Sequence, residues 1–198
     1  MKFFRIGVLG SGKGSNLQAI VDAIATGSLQ AKVAVVISDI QSSGILSIAR
    51  AAGIPAHFVE PGKFKTKMEP DSECKVVQLL QDAEVELVVL AGYMRIVKEP
   101  LLRAFPRRII NIHPSLLPAF RGLEAWRQAL EAGVQLTGCT IHYVDSGIDT
   151  GEIIAQESIC VLPGDTPSTL HARIQEVEHR LYPAIIQKLA TQAQTEPS

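Results

Sequence analysis

Residues 108–120, RIINIHPSLLPAF, place an amide and an imidazole where a buried strand should end. The run opens as an apolar strand, yet Asn111 and His113 interrupt it and Pro114 closes it. Side chains alternate across a strand, so Asn111 and His113 share one face while Ile110 and Ile112 share the other. Left buried without partners, each polar group would cost about 1–3 kcal/mol. Something must meet them. A second stretch, VDSGIDTGEI (144–153), crowds Asp145, Asp149 and two glycines into one loop. Asp and Gly are ordinary turn residues, but a carboxylate beside His113 would orient the ring and raise its pKa. Activity needing the imidazolium would then fall as pH rises through that raised value. Thr140, His142 and Val144 share a face of the preceding strand, so His142 either lines the pocket or packs beneath it. An amide donor, an imidazolium and a carboxylate can stabilise an oxyanion and move a proton while the substrate brings its own nucleophile. No G-x-S-x-G elbow offers a nucleophile. No H-E-x-x-H or Cys/His spacing offers a metal, so none is expected.

The turn GSGKGSN (10–16) points to a phosphate. Glycines let the backbone approach a ligand, and the helix start beyond presents unpaired N–H groups with partial positive charge. It is not a Walker loop, because Gly14 follows Lys13 where Ser or Thr is needed. It is not a dinucleotide fingerprint either, because Ser15 stands where the last glycine should fall, although Asp39 could mimic a ribose-binding acid. The plainer alternative is a tight turn with Ser15 or Asn16 as helix cap.

The elements that must carry these groups read as βαβ units. Strand-like runs lie at 3–10, 32–38, 55–59, 86–92 and 108–113, separated by helical patterns, which argues for a parallel sheet covered on both faces. Runs at 137–144 and 152–162 have no helix between them and read as an antiparallel extension. A long helix follows, with Asp165 or Thr166 as cap and Pro167 in its first turn, and residues 191–198 read as a frayed tail. The fold expected is α/β, a Rossmann-like doubly wound, mainly parallel sheet with a C-terminal antiparallel extension and a long C-terminal helix. Its 198 residues suit one domain, 1–190, with a phosphate-binding half (1–105) and a half for catalysis and the second ligand (106–190).

A net charge of -1, with only GKFKTK (62–67) as a basic cluster, speaks against nucleic acid as partner. No apolar run approaches the roughly 18 residues that span a bilayer. MKFFRIGVLG reads straight into a strand rather than a signal peptide, and three scattered cysteines suggest a reducing compartment, so a cytoplasmic location is expected. From the residues alone the reading stops at acyl or carbonyl chemistry on a phosphorylated small molecule.

NIHPSLLPAF, DSGIDTGEI and VLAGYMRIV together resemble the folate-dependent formyltransferases, from about residue 5 to about 185. GSNLQAI and EHRLYP are similar to the branch that formylates glycinamide ribonucleotide in purine (IMP) synthesis. The resemblance implies that 10-formyltetrahydrofolate is the co-substrate and that the glycinamide amine attacks its formyl carbon. It implies catalytic roles for Asn111, His113 and Asp149, with the first two holding the oxyanion and Asp149 keeping His113 charged. Gly14, Ser15 and Asn16 would bind the substrate phosphate, and Glu178 would meet the amine. Met94, Arg95, Ile96, Val97, Asn111, His142 and Asp145 would contact folate, with Lys67, or else Lys63 or Lys65, as the basic residue of the loop after the third strand.

The family's P-G-L-H is replaced here by RGLE, and the Arg121–Gly122 pair is reminiscent of methionyl-tRNA formyltransferases. Those need a further domain and a basic surface. A formyltetrahydrofolate hydrolase needs an N-terminal regulatory domain, an oxidoreductase leaves Asn111, His113 and Asp149 idle, and a non-catalytic phosphate-binding protein does not require His113. The expectation is a formyltransferase acting on small molecules, as monomer or homodimer.

Overall fold

The computed structural model describes residues 3–195. Strands and helices alternate through the first part: β1 (Phe4–Leu9), α1 (Ser15–Ala25), β2 (Ala31–Ser38), α2 (Gly44–Ala51), β3 (Ala56–Phe58), α3 (Pro70–Asp82), β4 (Leu87–Leu90), α4 (Glu99–Ala104) and β5 (Ile109–His113). A short helix, α5 (Ala125–Glu131), leads into β6 (Leu136–Tyr143) and β7 (Ile153–Cys160), and α6 (Pro167–Thr195) follows. All seven strands join one sheet in the order β3-β2-β1-β4-β5-β6-β7. Pairings are parallel from β3 through β5 and antiparallel for β5–β6 and β6–β7. The mainly parallel sheet, its antiparallel extension and the long last helix are as expected.

The side-chain period of two divides the core. On β4, Leu87 and Val89 pack with Leu17, Leu46, Ile174 and Ile186 from α1, α2 and α6, whereas Val88 and Leu90 pack with Leu80 and Leu101 from α3 and α4. Both faces of the parallel part are therefore sealed, as its continuous Val/Ile runs require. The chain winds outward in both directions from β1 and β4, and the crevice at such a switch point lies beyond the strands' carboxyl ends. There the turn 10–14 and the segment 91–97 lie side by side. Tyr182, fully buried on α6, donates its hydroxyl to Leu90 O (2.9 Å) and Ile110 O (3.2 Å), tying β4 and β5 together just below that edge.

Two local readings change. Residues 191–195 continue α6 as helix instead of starting a tail, and 196–198 lie outside the described residues. Of the two candidate caps for α6, Thr166 serves: its Oγ1 accepts the Thr169 N–H (3.2 Å) while Thr169 Oγ1 accepts the Thr166 N–H (2.8 Å). Asp165 instead pairs with Arg173 at 2.6 Å. Helix α5 lay outside the expected elements, although Gly122 and Gly133 bracket it.

Candidate active site

Antiparallel pairing of β5 with β6 sets Asn111 opposite His142 and His113 opposite Thr140. The Asn111 amide nitrogen comes within 3.2 Å of His142 Nε2, so His142 lines the pocket rather than the core beneath it. His142 Nδ1 faces the Tyr143 carbonyl at 2.8 Å and so carries a proton, while Nε2 faces both the Asn111 amide and the Asp149 carboxylate. The loop between β6 and β7 then delivers the distant acid. Asp149 Oδ2 lies 3.4 Å from His113 Nδ1, and its Oδ1 lies 3.6 Å from His142 Nε2. Asp149 adopts φ +51°, and the Gly122 N–H donates to its Oδ2 at 2.9 Å. His113 Nε2 meets the Phe120 carbonyl at 2.8 Å. Both N–H groups of a protonated His113 thus have acceptors. The loop that supplies Phe120 is held by Thr140, whose hydroxyl donates to Ser115 O (2.7 Å) and accepts the Leu117 N–H (3.0 Å).

Burial decides the His113 titration against the sequence expectation. Desolvation pushes the imidazole below its ordinary value, outweighing the upward pull of Asp149 and the Phe120 carbonyl, and His142 adds to the lowering. A raised value does not result. The imidazolium here is a stronger acid than usual. Burial also acts to raise Asp149, but hydrogen bonds from His142 and the Gly122 N–H, with the charges of both histidines, hold it below the usual carboxylate range.

At the other end, Gly14 occupies the cap position of α1 with φ +87°, and no side chain caps the helix. Neither Ser15 nor Asn16 does so. A Cβ on Gly14 would sit 2.7 Å from Ile45 Cα, so glycine is needed for conformation and for the approach of α2. This uncapped helix start, Gly14 to Asn16, lines the cavity. The Asn16 amide donates to Glu178 Oε2 at 2.9 Å. Glu178 is only 4% exposed, so it is no solvated helix face. Burial pushes its carboxyl up to about 7, opposed by Asn16.

One cavity of about 750 Å³ joins these ends, lined by residues 12–16, Met94–Val97, Asn111, His113, His142, Asp145, Asp149 and Glu178. It draws on residues from both sides of residue 105. The lining residues outside the sequence reading include Trp126, His171 and Gln175. His171 stacks on Trp126 with ring centroids 3.6 Å apart. The spacing of His171, Gln175 and Glu178 on α6 puts them on one helical face, which was the available signal.

Four sequence candidates are engaged by partners within the protein. Lys67 does not line the cavity; its Nζ lies 4.6 Å over the Phe64 ring, and Thr66 lines the wall instead. Arg95 borders the cavity, but its guanidinium is engaged by Asp39 Oδ2 (2.7 Å) and the carbonyls of Phe64 (2.8 Å) and Lys65 (2.6 Å). Asp39 is thereby committed to Arg95 rather than left free for a ribose. Asp145 is exposed in its turn, accepting from the Gly147 N–H (3.0 Å) and the Thr150 hydroxyl (2.7 Å). Among the described residues no group of three or more His, Cys, Asp or Glu side chains could hold a metal ion. Among them, too, no helix is long and apolar enough to cross a membrane.

Residues 4–186 match the formyl transferase family model. The chain belongs to the formyl transferase family. Phosphoribosylglycinamide formyltransferase of Bacillus subtilis is 43% identical over 93% of this formyl transferase chain and 94% of that protein. The trifunctional purine biosynthetic protein adenosine-3 of Drosophila pseudoobscura pseudoobscura is 46% identical over 96% of the chain, which spans 14% of that protein's length. A crystal structure of glycinamide ribonucleotide transformylase 1 from Symbiobacterium toebii superposes with a TM-score of 0.91 at 50% identity, covering 96% of this chain and 89% of that one.

Proposed function

We propose that this formyl transferase moves the formyl group of 10-formyltetrahydrofolate onto the amine of phosphoribosylglycinamide, a step of purine biosynthesis in the cytoplasm. One observation carries the reading: the Asn111–His113–Asp149 cluster and the Glu178–Asn16 pair line the same cavity. The sugar phosphate would lie on the backbone of Gly14, Ser15 and Asn16, where helix N–H groups favour an anion. The cavity is of the size that takes a drug-sized ligand. Its apolar wall at Ile96, Val97 and Val144 fits a flat pteridine ring, with backbone groups of residues 94–97 to orient it.

The substrate amine attacks the formyl carbon and the carbonyl electrons move onto oxygen. The Asn111 amide donates to that oxyanion, and so does the His113 Nε2–H once it turns from the Phe120 carbonyl, an interaction stronger in the transition state than before it. The attacking nitrogen must lose a proton, and Glu178, whose carboxyl titrates at about 7, is suited to accept it at neutral pH. As the carbon–nitrogen bond to folate breaks, the departing nitrogen takes a proton from His113. Asp149 stabilises the imidazolium until then. The products are the N-formylated glycinamide and tetrahydrofolate.

The assay combines protein, phosphoribosylglycinamide and 10-formyltetrahydrofolate and follows the absorbance of the folate. Turnover that needs both substrates and is lost in His113→Ala is expected. Folate consumption without the amine would mark a hydrolase instead. Undiminished turnover in His113→Ala would remove the mechanism.

A further inference from the structure

The Asp39–Arg95 pair is buried at a junction. Its side chains are 1% and 14% exposed, and Arg95 Nε lies 2.7 Å from Asp39 Oδ2. Removing two charges from water offsets much of their mutual attraction, so such a pair is weak evidence for stability and better explained by what it positions. Four segments converge on it. Ser11, in the phosphate turn, donates its hydroxyl to Asp39 Oδ1 at 2.6 Å and its N–H to Gly92 O at 3.0 Å. The same hydroxyl accepts the Met94 N–H at 2.9 Å. Arg95 Nη1 gathers the carbonyls of Phe64 and Lys65, and the Ile96 N–H donates to Thr66 O at 2.8 Å. The turn at one end of the cavity and the 93–97 wall of the other are thus fastened to one carboxylate that itself does not line the cavity.

We propose that the Asp39–Arg95 pair is a positioning element that locks the phosphate turn to the folate-facing segment, so that both ends of the cavity are pre-organised as one unit. The proposal rests on the two-substrate reading above. Its energetic signature is specific. With the lock intact, neither ligand orders anything for the other, and the two bind independently. With the lock broken, the bond from the Ser11 N–H to Gly92 O still joins the two segments, so the first ligand bears the cost of ordering both ends and the second does not. Positive coupling then appears in the variant that the wild type lacks.

The test measures dissociation constants of phosphoribosylglycinamide and of tetrahydrofolate, each alone and each with the other saturating, a combination that cannot react. In the wild type each constant is expected to change less than twofold on adding the partner. In Asp39→Asn, which keeps the shape and one of the two acceptor oxygens, both are expected to weaken by about tenfold alone and to recover when the partner is present, within the usual range of coupling between sites. Uniform weakening without recovery would reduce the pair to a general structural role and overturn the inference. Weakening of only one ligand would overturn it too. Should the wild type bind neither molecule, the substrate reading fails by itself, and hydrogen exchange decides the lock. The Ser11, Met94 and Ile96 amides must lose protection together in Asp39→Asn, and loss at only one of the two segments refutes the coupling.

Discussion

Two carboxylates line one cavity, and their surroundings drive them apart. Asp149, on the loop between β6 and β7, is offered a backbone N–H and two imidazoles, so its charge is held below the ordinary range. Glu178, on α6, is offered one amide and is sealed from water, so its carboxyl rises to about 7. Burial acts upward on both; the number and charge of the donors decide the outcome. Groups forced to opposite sides of their reference values are how one site keeps one carboxylate ionised and another ready to exchange a proton. The loop supplies the permanent charge and the helix supplies the titrating one.

The strongest way to break this comparison is to neutralise the permanent charge. Asp149→Asn is expected to cost kcat roughly a thousandfold, within the span of positioned acid–base groups, while leaving the binding of phosphoribosylglycinamide nearly unchanged. Steady-state kinetics with a separate titration of that ligand checks both halves. Asn111→Ala, which removes an oxyanion donor, is expected to cost about a hundredfold in kcat.

The pH profile sharpens the contrast. His113 must be protonated and Glu178 ionised, yet the His113 value lies below its ordinary position and that of Glu178 at about 7. Above the His113 value the fraction protonated falls tenfold per pH unit, while up to pH about 7 the fraction of Glu178 ionised rises equally. The rate constant kcat/KM should therefore rise with pH to the His113 value, stay flat to about 7 and fall beyond it. In Glu178→Gln the break near 7 should vanish and the fall should begin at the lower His113 value. A break that stays near 7 in this variant would assign it to another group.

Stability offers a quieter test of the same acid. The folded carboxyl of Glu178 titrates above the unfolded one, so its penalty grows as pH rises from the unfolded value and is complete above about 7. Glu178→Gln should then stabilise the fold by on the order of 2–3 kcal/mol at pH 8 and by little at pH 4, measured by denaturant midpoints. The smallest effect is expected at Lys67. Because its amine rests over Phe64 outside the cavity, Lys67→Ala should change the Michaelis constant for the folate by no more than about twofold, as most surface changes do.

The continuous Val/Ile runs and the helices between them made the parallel sheet legible before any coordinates, because a strand buried on both faces has to be continuously apolar. Asn111 and His113 stood out because amides and imidazoles are costly where such a strand ends. Helix α5 was overlooked because its seven residues, AWRQALE, are too few for a helical period to stand out beside the turn signals around them. Arg95 and Lys67 were legible as charges but not as to what they touch.

The order of residues along the chain was enough to settle the βαβ winding, the glycine turn, and the residue types able to hold an oxyanion. Those follow from local sterics, periodicity and side-chain chemistry, which act over a few neighbours. Folding alone decided that His113 titrates low and Glu178 high, that Arg95 is spent on Asp39, and that Asp149 arrives 3.4 Å from a ring 36 positions earlier in the chain. Desolvation and charge are sums over everything nearby in space, and no linear spacing contains that sum.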